Sequence, residues 1–208
     1  MDESSTFSFN SLIKESKDVL VSPKSYFASM KTTGGLGEPV IKALVYGAVA
    51  GIISFIWSLL HLGGGMYGHG FGIMIIIWAI IYALIGLFVG AVVIMVVSAI
   101  CKGSTDFEAC ARVTAACMVI MPVTAILGFF YGLVGFRIGT IVSLIVSLYG
   151  LYILYHGLVE ALKANAGTAR IVIYVLVALL ALSMLLGMRT SRRIDRDFKN
   201  MMEDVQKK

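Results

Sequence analysis

The residues best placed to do chemistry in this sequence are His156, Glu160 and Lys163. His156 and Glu160 stand four apart, so a helix puts them on one face, with Lys163 about a turn further on. An imidazole and a carboxylate so spaced can pass a proton or hold a cation. The same three residues can equally close a helix end as an interfacial hydrogen-bonded cluster, and that is the expected reading. Lys42, His61, Arg112, Arg137, Arg170 and Arg189 stand at the edges of apolar segments, where long cationic side chains snorkel to water. No second acid lies deep in an apolar segment, which leaves a charge-driven transporter poorly equipped. Cys101, Cys110 and Cys117 form no CxxC pair and have no His at ligand spacing. They read as small packing residues, with Cys101 as the one exposed thiol. HExxH, GxSxG, P-loop and dinucleotide-binding glycine signatures are absent. The expectation is a protein that is not an enzyme, with no catalytic residue, metal site or cofactor.

The elements that must carry these residues are membrane helices. Of 208 residues, 59% are hydrophobic and 14% charged, and the mean hydropathy is +0.91. A soluble domain carries about 25% charged residues. Between Lys42 and Lys102 lie 59 residues without a formal charge. About 20 apolar residues cross a bilayer, so this interval alone accommodates two crossings. The fold class is therefore an all-α integral membrane protein, a bundle of about five transmembrane helices with amphipathic N- and C-terminal helices. The charge-free intervals place spans at about 40–61, 71–100, 112–134, 138–159 and 170–188. They divide the chain into an N-terminal region 1–38, a transmembrane bundle 39–188 and a charged tail 189–208.

Residues 1–38 show no secretory signal peptide, and the first span is expected to act as an uncleaved signal-anchor. Phe9, Leu12, Ile13, Val19 and Leu20 repeat at helical spacing, and Ser22-Pro23 restarts the chain as cap and first helical residue. Two short amphipathic helices follow from this. They either lie flat in the membrane interface or form a hairpin packed on the protein's own loops. Ser104 and Thr105, ahead of Asp106 and Glu108, read as the cap and first turn of the third span, and Pro122 as a kink within it.

Small residues recur four apart at Gly47/Gly51, Gly86/Gly90, Gly128/Gly132 and Gly135/Gly139. That spacing lets helix backbones approach closely. In the tail, Ile194, Phe198, Met201, Met202 and Val205 share one helical face beside i,i+4 charge pairs. Arg189, Arg192, Arg193, Arg196 and Lys199 are the residues expected to meet lipid headgroups or a partner. The net charge of +5 resides largely in this tail, which holds seven basic and four acidic residues. The inter-span loops place the N-terminus inside by the positive-inside rule, whereas the tail's charge argues the other way. Membrane lipids are the expected partners, with a homo-oligomer and a membrane-protein partner as further candidates. Nucleic acid is not expected, because the charges alternate in sign and form no basic stripe.

Two stretches carry a family resemblance. Residues 10–50, with Ser22-Pro23-Lys24-Ser25-Tyr26-Phe27 and then Gly34-Gly35-Leu36-Gly37-Glu38-Pro39, resemble the opening of prokaryotic members of the Yip domain family. These are relatives of the Rab-GTPase-interacting Yip membrane proteins. Residues 101–122, from Lys102-Gly103-Ser104-Thr105-Asp106 to Pro122, are similar to that family's central segment. The resemblance implies a five-helix bundle with a cytoplasmic N-terminus, in the cytoplasmic (inner) membrane of a prokaryote. In eukaryotic relatives it implies vesicle trafficking and membrane shaping through small GTPases. The functional expectation is a non-enzymatic membrane-organising or partner-binding scaffold. The alternative is a small oligomeric channel or permease for ions, lipids or small solutes, built around Tyr82, Tyr131, His156 and Glu160.

Overall fold

The computed structural model describes residues 9–60, 72–128, 136–184 and Gly187, and among these every regular element is helical. Helix α1 (Phe9–Val21) buries Leu12 and Val19, the pair seven apart, while Ile13 faces out. Helix α2 (Pro23–Ser29) starts on its proline and buries Pro23 and Phe27. Leu12, Val19, Pro23 and Phe27 are thus covered by the protein itself, while Ile13 and Val21 stay exposed. Of the two expected arrangements, the hairpin packed on the chain's own structure is the one formed.

Among the described residues, five helical stretches are long and apolar enough to cross a membrane. The first is α3 (Gly37–Leu59), entered through Glu38 and Pro39. The second is α4 (Met74–Ile100), whose 27 residues exceed the length that a bilayer core of about 30 Å requires. The third is α5 (Phe107–Cys117) followed by α6 (Ile120–Leu127). It begins at Phe107, not at Arg112. The Asp106 carboxylate is its true cap and accepts the Glu108 and Ala109 amides at 3.3 and 3.4 Å. The break at Met118–Val119 has a local cause: Pro122 has no N–H to give the Met118 carbonyl, and its ring crowds that carbonyl. The fourth span is α7 (Phe136–His156), which runs into a π-helical turn at Gly157–Ala161. The fifth is α8 (Ala166–Met184). Asn165 caps it through Oδ1, which accepts the Gly167 and Thr168 amides at 3.0 and 3.1 Å.

The chain divides into two units, residues 1–172 and 173–208. Within the first, α3 lies along α4 at close range. A Cβ on Gly47 would come to 2.7 Å from the Ala83 methyl, and one on Gly51 to 3.0 Å from the Ala79 methyl and the Ile76 Cα. Two loops of this unit are sewn together by backbone bonds. The Ser104 amide donates to the Leu162 carbonyl at 2.7 Å, and the Asn165 amide to the Cys101 carbonyl at 2.8 Å. Lys102 and Lys163 each close the preceding helix with a left-handed residue, at φ 56° and 54°. These bonds put the end of α4, the start of α5, the π turn and the start of α8 on one side of the molecule. The described part of the second unit continues α8 through residues 173–184.

Candidate functional site

The N-terminal hairpin and the starts of α3 and α5 meet at a knot of paired charge. Glu38 and Lys42 stand four apart on α3, as do Glu108 and Arg112 on α5. Each acid lies one turn N-terminal to its base, the favourable order on a helix. The two pairs face each other. Arg112 Nη1 lies 2.6 Å from Glu38 Oε2, and its Nε lies 3.2 Å from Glu108 Oε1. Lys42 Nζ lies 2.6 Å from both Glu38 Oε1 and Glu15 Oε2, the latter on α1. Only 7% of each cationic side chain is exposed, against 36% for Glu15 and 42% for Glu38. Two cations are therefore covered, and three carboxylates form the rim.

The chain entering α3 is fitted to the same knot. The Gly35 carbonyl accepts from Arg112 Nη2 at 3.1 Å, and its amide donates to Glu108 Oε1 at 2.6 Å. Gly34 and Gly35 take φ values of +132° and +90°, and a Cβ on Gly34 would lie 2.8 Å from Arg112 Nη2. Glycine is thus required by conformation at both positions, and by space at Gly34. Beside the knot, Ser16 Oγ and the Tyr46 hydroxyl share a 2.8 Å hydrogen bond. The Tyr26 hydroxyl interacts with Lys42, yet burial dominates and pushes its pKa up to about 12. A cavity of about 10 Å³ between Met30, Glu38, Lys42, Arg112 and Ala115 is the size of a single water.

By position in the sequence, Lys42 and Arg112 are span-edge cations expected to snorkel to water. They are covered instead, because each finds two carboxylates at short range. The repeated acid–x–x–x–base spacing at the starts of spans one and three was the signal. What it could not supply was the partner across 74 residues, Glu38 to Arg112, or Glu15 from the hairpin.

The structure gathers His156, Glu160 and Lys163 at the end of α7 and the π turn. Tyr152 and Tyr155 meet the His156 ring edge-on at 4.7 and 5.3 Å. His156 Nδ1 is buried with no hydrogen-bond partner among the described residues. Lys163 is exposed in the loop. The three residues thus share a region, and aromatic contacts rather than a hydrogen-bonded relay surround the imidazole.

The remaining candidates separate clearly. Gly47 and Gly51 receive α4, and a Cβ on Gly90 would lie 2.8 Å from the Thr114 methyl of α5. Gly86 has open space around it, and Gly128 meets only carbonyls of its own preceding turn. Gly139 is buried in α7. Gly132, Gly135, His61 and Tyr131 lie outside the described residues, as do the tail residues Arg189, Arg192, Arg193, Arg196 and Lys199. Cys101, expected to be exposed, is buried; its thiol pKa is raised by burial, and Cys117 is the more accessible by surface area. Tyr82 stacks on Trp78 at 5.5 Å and is 44% exposed on the outside of α4.

A family model, the Yip1 domain, matches residues 17–188 of the chain. No curated protein and no solved structure matches it.

Proposed function

This chain belongs to the Yip1 domain family, and from that premise we propose that it is a non-enzymatic scaffold that organises partner proteins at the membrane surface. One observation carries the reading: an amphipathic hairpin is anchored by buried charge and displays its own charged side outward. Lys14, Lys17, Lys24 and Lys31 are exposed on or beside the hairpin. Lys102, Lys163 and Arg170 are exposed in or next to the two bonded loops. Asp18 and Asp106 are the exposed acids there among the described residues, and Asp106 is engaged as a helix cap. A face of this sign belongs on the cytoplasmic side by the positive-inside rule. It suits a partner with an acidic surface, which it would attract over about a Debye length.

The test is charge reversal of Lys14, Lys17 and Lys31 to Glu in the full chain, followed by cross-linking of native membranes and identification of neighbours. The reading expects loss of the acidic-surfaced neighbours with the bundle still folded. An unchanged set of neighbours contradicts it. Charge reversal is preferable to removing residues 9–30, because removal would strip Lys42 of Glu15 and perturb the bundle directly. The channel or permease reading requires flux of ions or small solutes in liposomes. The scaffold reading expects none above empty vesicles.

A further inference from the structure

The hairpin runs along α7 and not across it. Phe27 stands against the π turn, where a Cβ on Gly157 would lie 3.5 Å from the Phe27 ring and 2.7 Å from a Val113 methyl. Val113 follows Arg112 in α5, so this contact is level with the charged knot. At the other end of α2, the Tyr149 hydroxyl donates to the Leu20 carbonyl. Tyr149 precedes Gly157 by a rise of about 12 Å along the helix axis. In a helix the Cα–Cβ bond tilts toward the N-terminus, which for α7 is the end away from the knot. Helix α1 descends the same way, since Ser16 meets Tyr46, one turn deeper in α3 than Lys42. The junction of α1 and α2 is therefore the innermost part of the hairpin. Tyr149 is the twelfth of the 24 residues in the fourth span, Ile138–Ala161, so the junction reaches the middle of that span.

What the junction exposes is polar. Lys17, Asp18, Ser22, Lys24 and Ser25 face outward around it, and Val21 is the exposed large apolar side chain among them. Charges are costly among acyl chains. Helix α4 shows the contrasting surface: Ile81, Ile85, Val89, Val93 and Val96 are exposed along it, and no charged residue stands between Met74 and Ile100. Two such surfaces do not fit one uniform bilayer thickness. We propose that the hairpin is re-entrant, entering the leaflet beside α7 with its polar face to the headgroup layer and its water. That layer is then drawn down by about 12 Å, from the level of Gly157 to that of Tyr149. Backbone at such depth needs its polar groups met by protein. The Leu20 carbonyl lies in the last turn of α1, where carbonyls lack an amide of their own helix, and Tyr149 meets it. This inference goes beyond the scaffold reading and holds whether or not a protein partner binds the hairpin.

The test uses the full chain in nanodiscs of phosphatidylcholine and phosphatidylglycerol. Ser22→Cys and Ser25→Cys at the junction are compared with Lys102→Cys in the loop and Val89→Cys near the middle of α4. Each is treated with a charged thiosulfonate that does not enter acyl chains, and rates are taken above those of the parent chain. The two junction thiols should react within about tenfold of Lys102→Cys, and Val89→Cys at least about a hundredfold more slowly, because a thiol among acyl chains stays protonated. Ser22 makes no side-chain cap bond to α2, so thermal unfolding of Ser22→Cys should match wild type. Depth is read separately, with the photoreactive p-benzoylphenylalanine in place of Tyr149. On irradiation it should form adducts with residues 18–24, mapped by mass spectrometry. Junction thiols as slow as Val89→Cys would mean that acyl chains cover this face, and overturn the proposal. So would adducts at position 149 with lipid and none with the hairpin, because the junction would then lie away from the middle of the span.

Discussion

Arg112 Nη1 meets Glu38 Oε2 at 2.6 Å across 74 residues of sequence. This ion pair ties the start of the third span to the start of the first. Glu38 is shared, because its other oxygen holds Lys42, and Lys42 reaches on to Glu15 of the hairpin. A single chain of contacts therefore runs from α5 through α3 to α1. A covered cation deprived of its partners is costly, whereas a complete network costs little more than an apolar replacement. The knot specifies where the hairpin sits more than it adds to stability.

Removing one member should reveal this asymmetry. Arg112→Met leaves Glu108 without its cation and Glu38 with Lys42 alone. The expected loss is about 2–4 kcal/mol, at the lower side of the range for buried pairs because the carboxylates are half-exposed. Glu38→Gln should cost less, and the double variant should cost clearly less than the two losses added. Unfolding titrations in mixed micelles measure all three, and strict additivity would contradict a direct pair.

The glycines of α3 and α4 should differ sharply in tolerance. Gly47→Leu drives a side chain into Ala83 and should force α3 and α4 apart, costing about 2 kcal/mol or more. Gly86→Ala has open space and should be neutral, or stabilising by up to about 1 kcal/mol through helix propensity. Thermal unfolding of the two variants side by side checks this.

Tyr26 should make stability fall in alkali. The folded chain holds its hydroxyl proton more tightly than the unfolded chain, with a pKa of about 12 against an ordinary 10.0. The contribution is therefore complete below pH 10.0 and declines as pH rises through about 12. Tyr26→Phe should flatten the decline over that window. Stability curves of the two proteins that stay parallel would contradict it.

The bonded loops make a topological prediction. Lys102→Cys and Lys163→Cys, each exposed at a loop tip, should react with a membrane-impermeant maleimide from the same side of the membrane. Native Cys101, one residue away and buried, should react far more slowly in both backgrounds. Labelling of the two introduced thiols from opposite sides would contradict the backbone bonds between Ser104 and Leu162 and between Asn165 and Cys101.

Much of the fold is legible in where charges are missing, because a bilayer tolerates few of them and four long intervals lack them, the first of them long enough for two crossings. Helix ends are less legible. The third span starts at Phe107 because Asp106 caps it, and a charge-free interval counted from Arg112 misses the first turns. The fifth starts at Ala166 because Asn165 caps it, ahead of Arg170. The early turns of the third span carry Glu108 and Arg112, satisfied by neighbouring protein, which hydropathy alone assigns to water. The charged knot was legible only as two local i,i+4 pairs. Its long-range half depends on which helix ends share a side and how they turn, and no spacing in one sequence encodes that. His156 and Glu160 are legible by type and spacing, and the tyrosines that meet the imidazole, Tyr152 and Tyr155, stand on its own helix.

The central claim is that the hairpin is docked on the bundle through Lys42 and Glu15. Hydrogen exchange of residues 9–29 in the full chain tests it most directly, comparing wild type with Lys42→Met. The account predicts that the amides of α1 are protected in wild type and exchange much faster in Lys42→Met, while those of α4 stay protected in both. Rapid exchange of α1 in wild type, or protection of α1 unaltered by Lys42→Met, would contradict it.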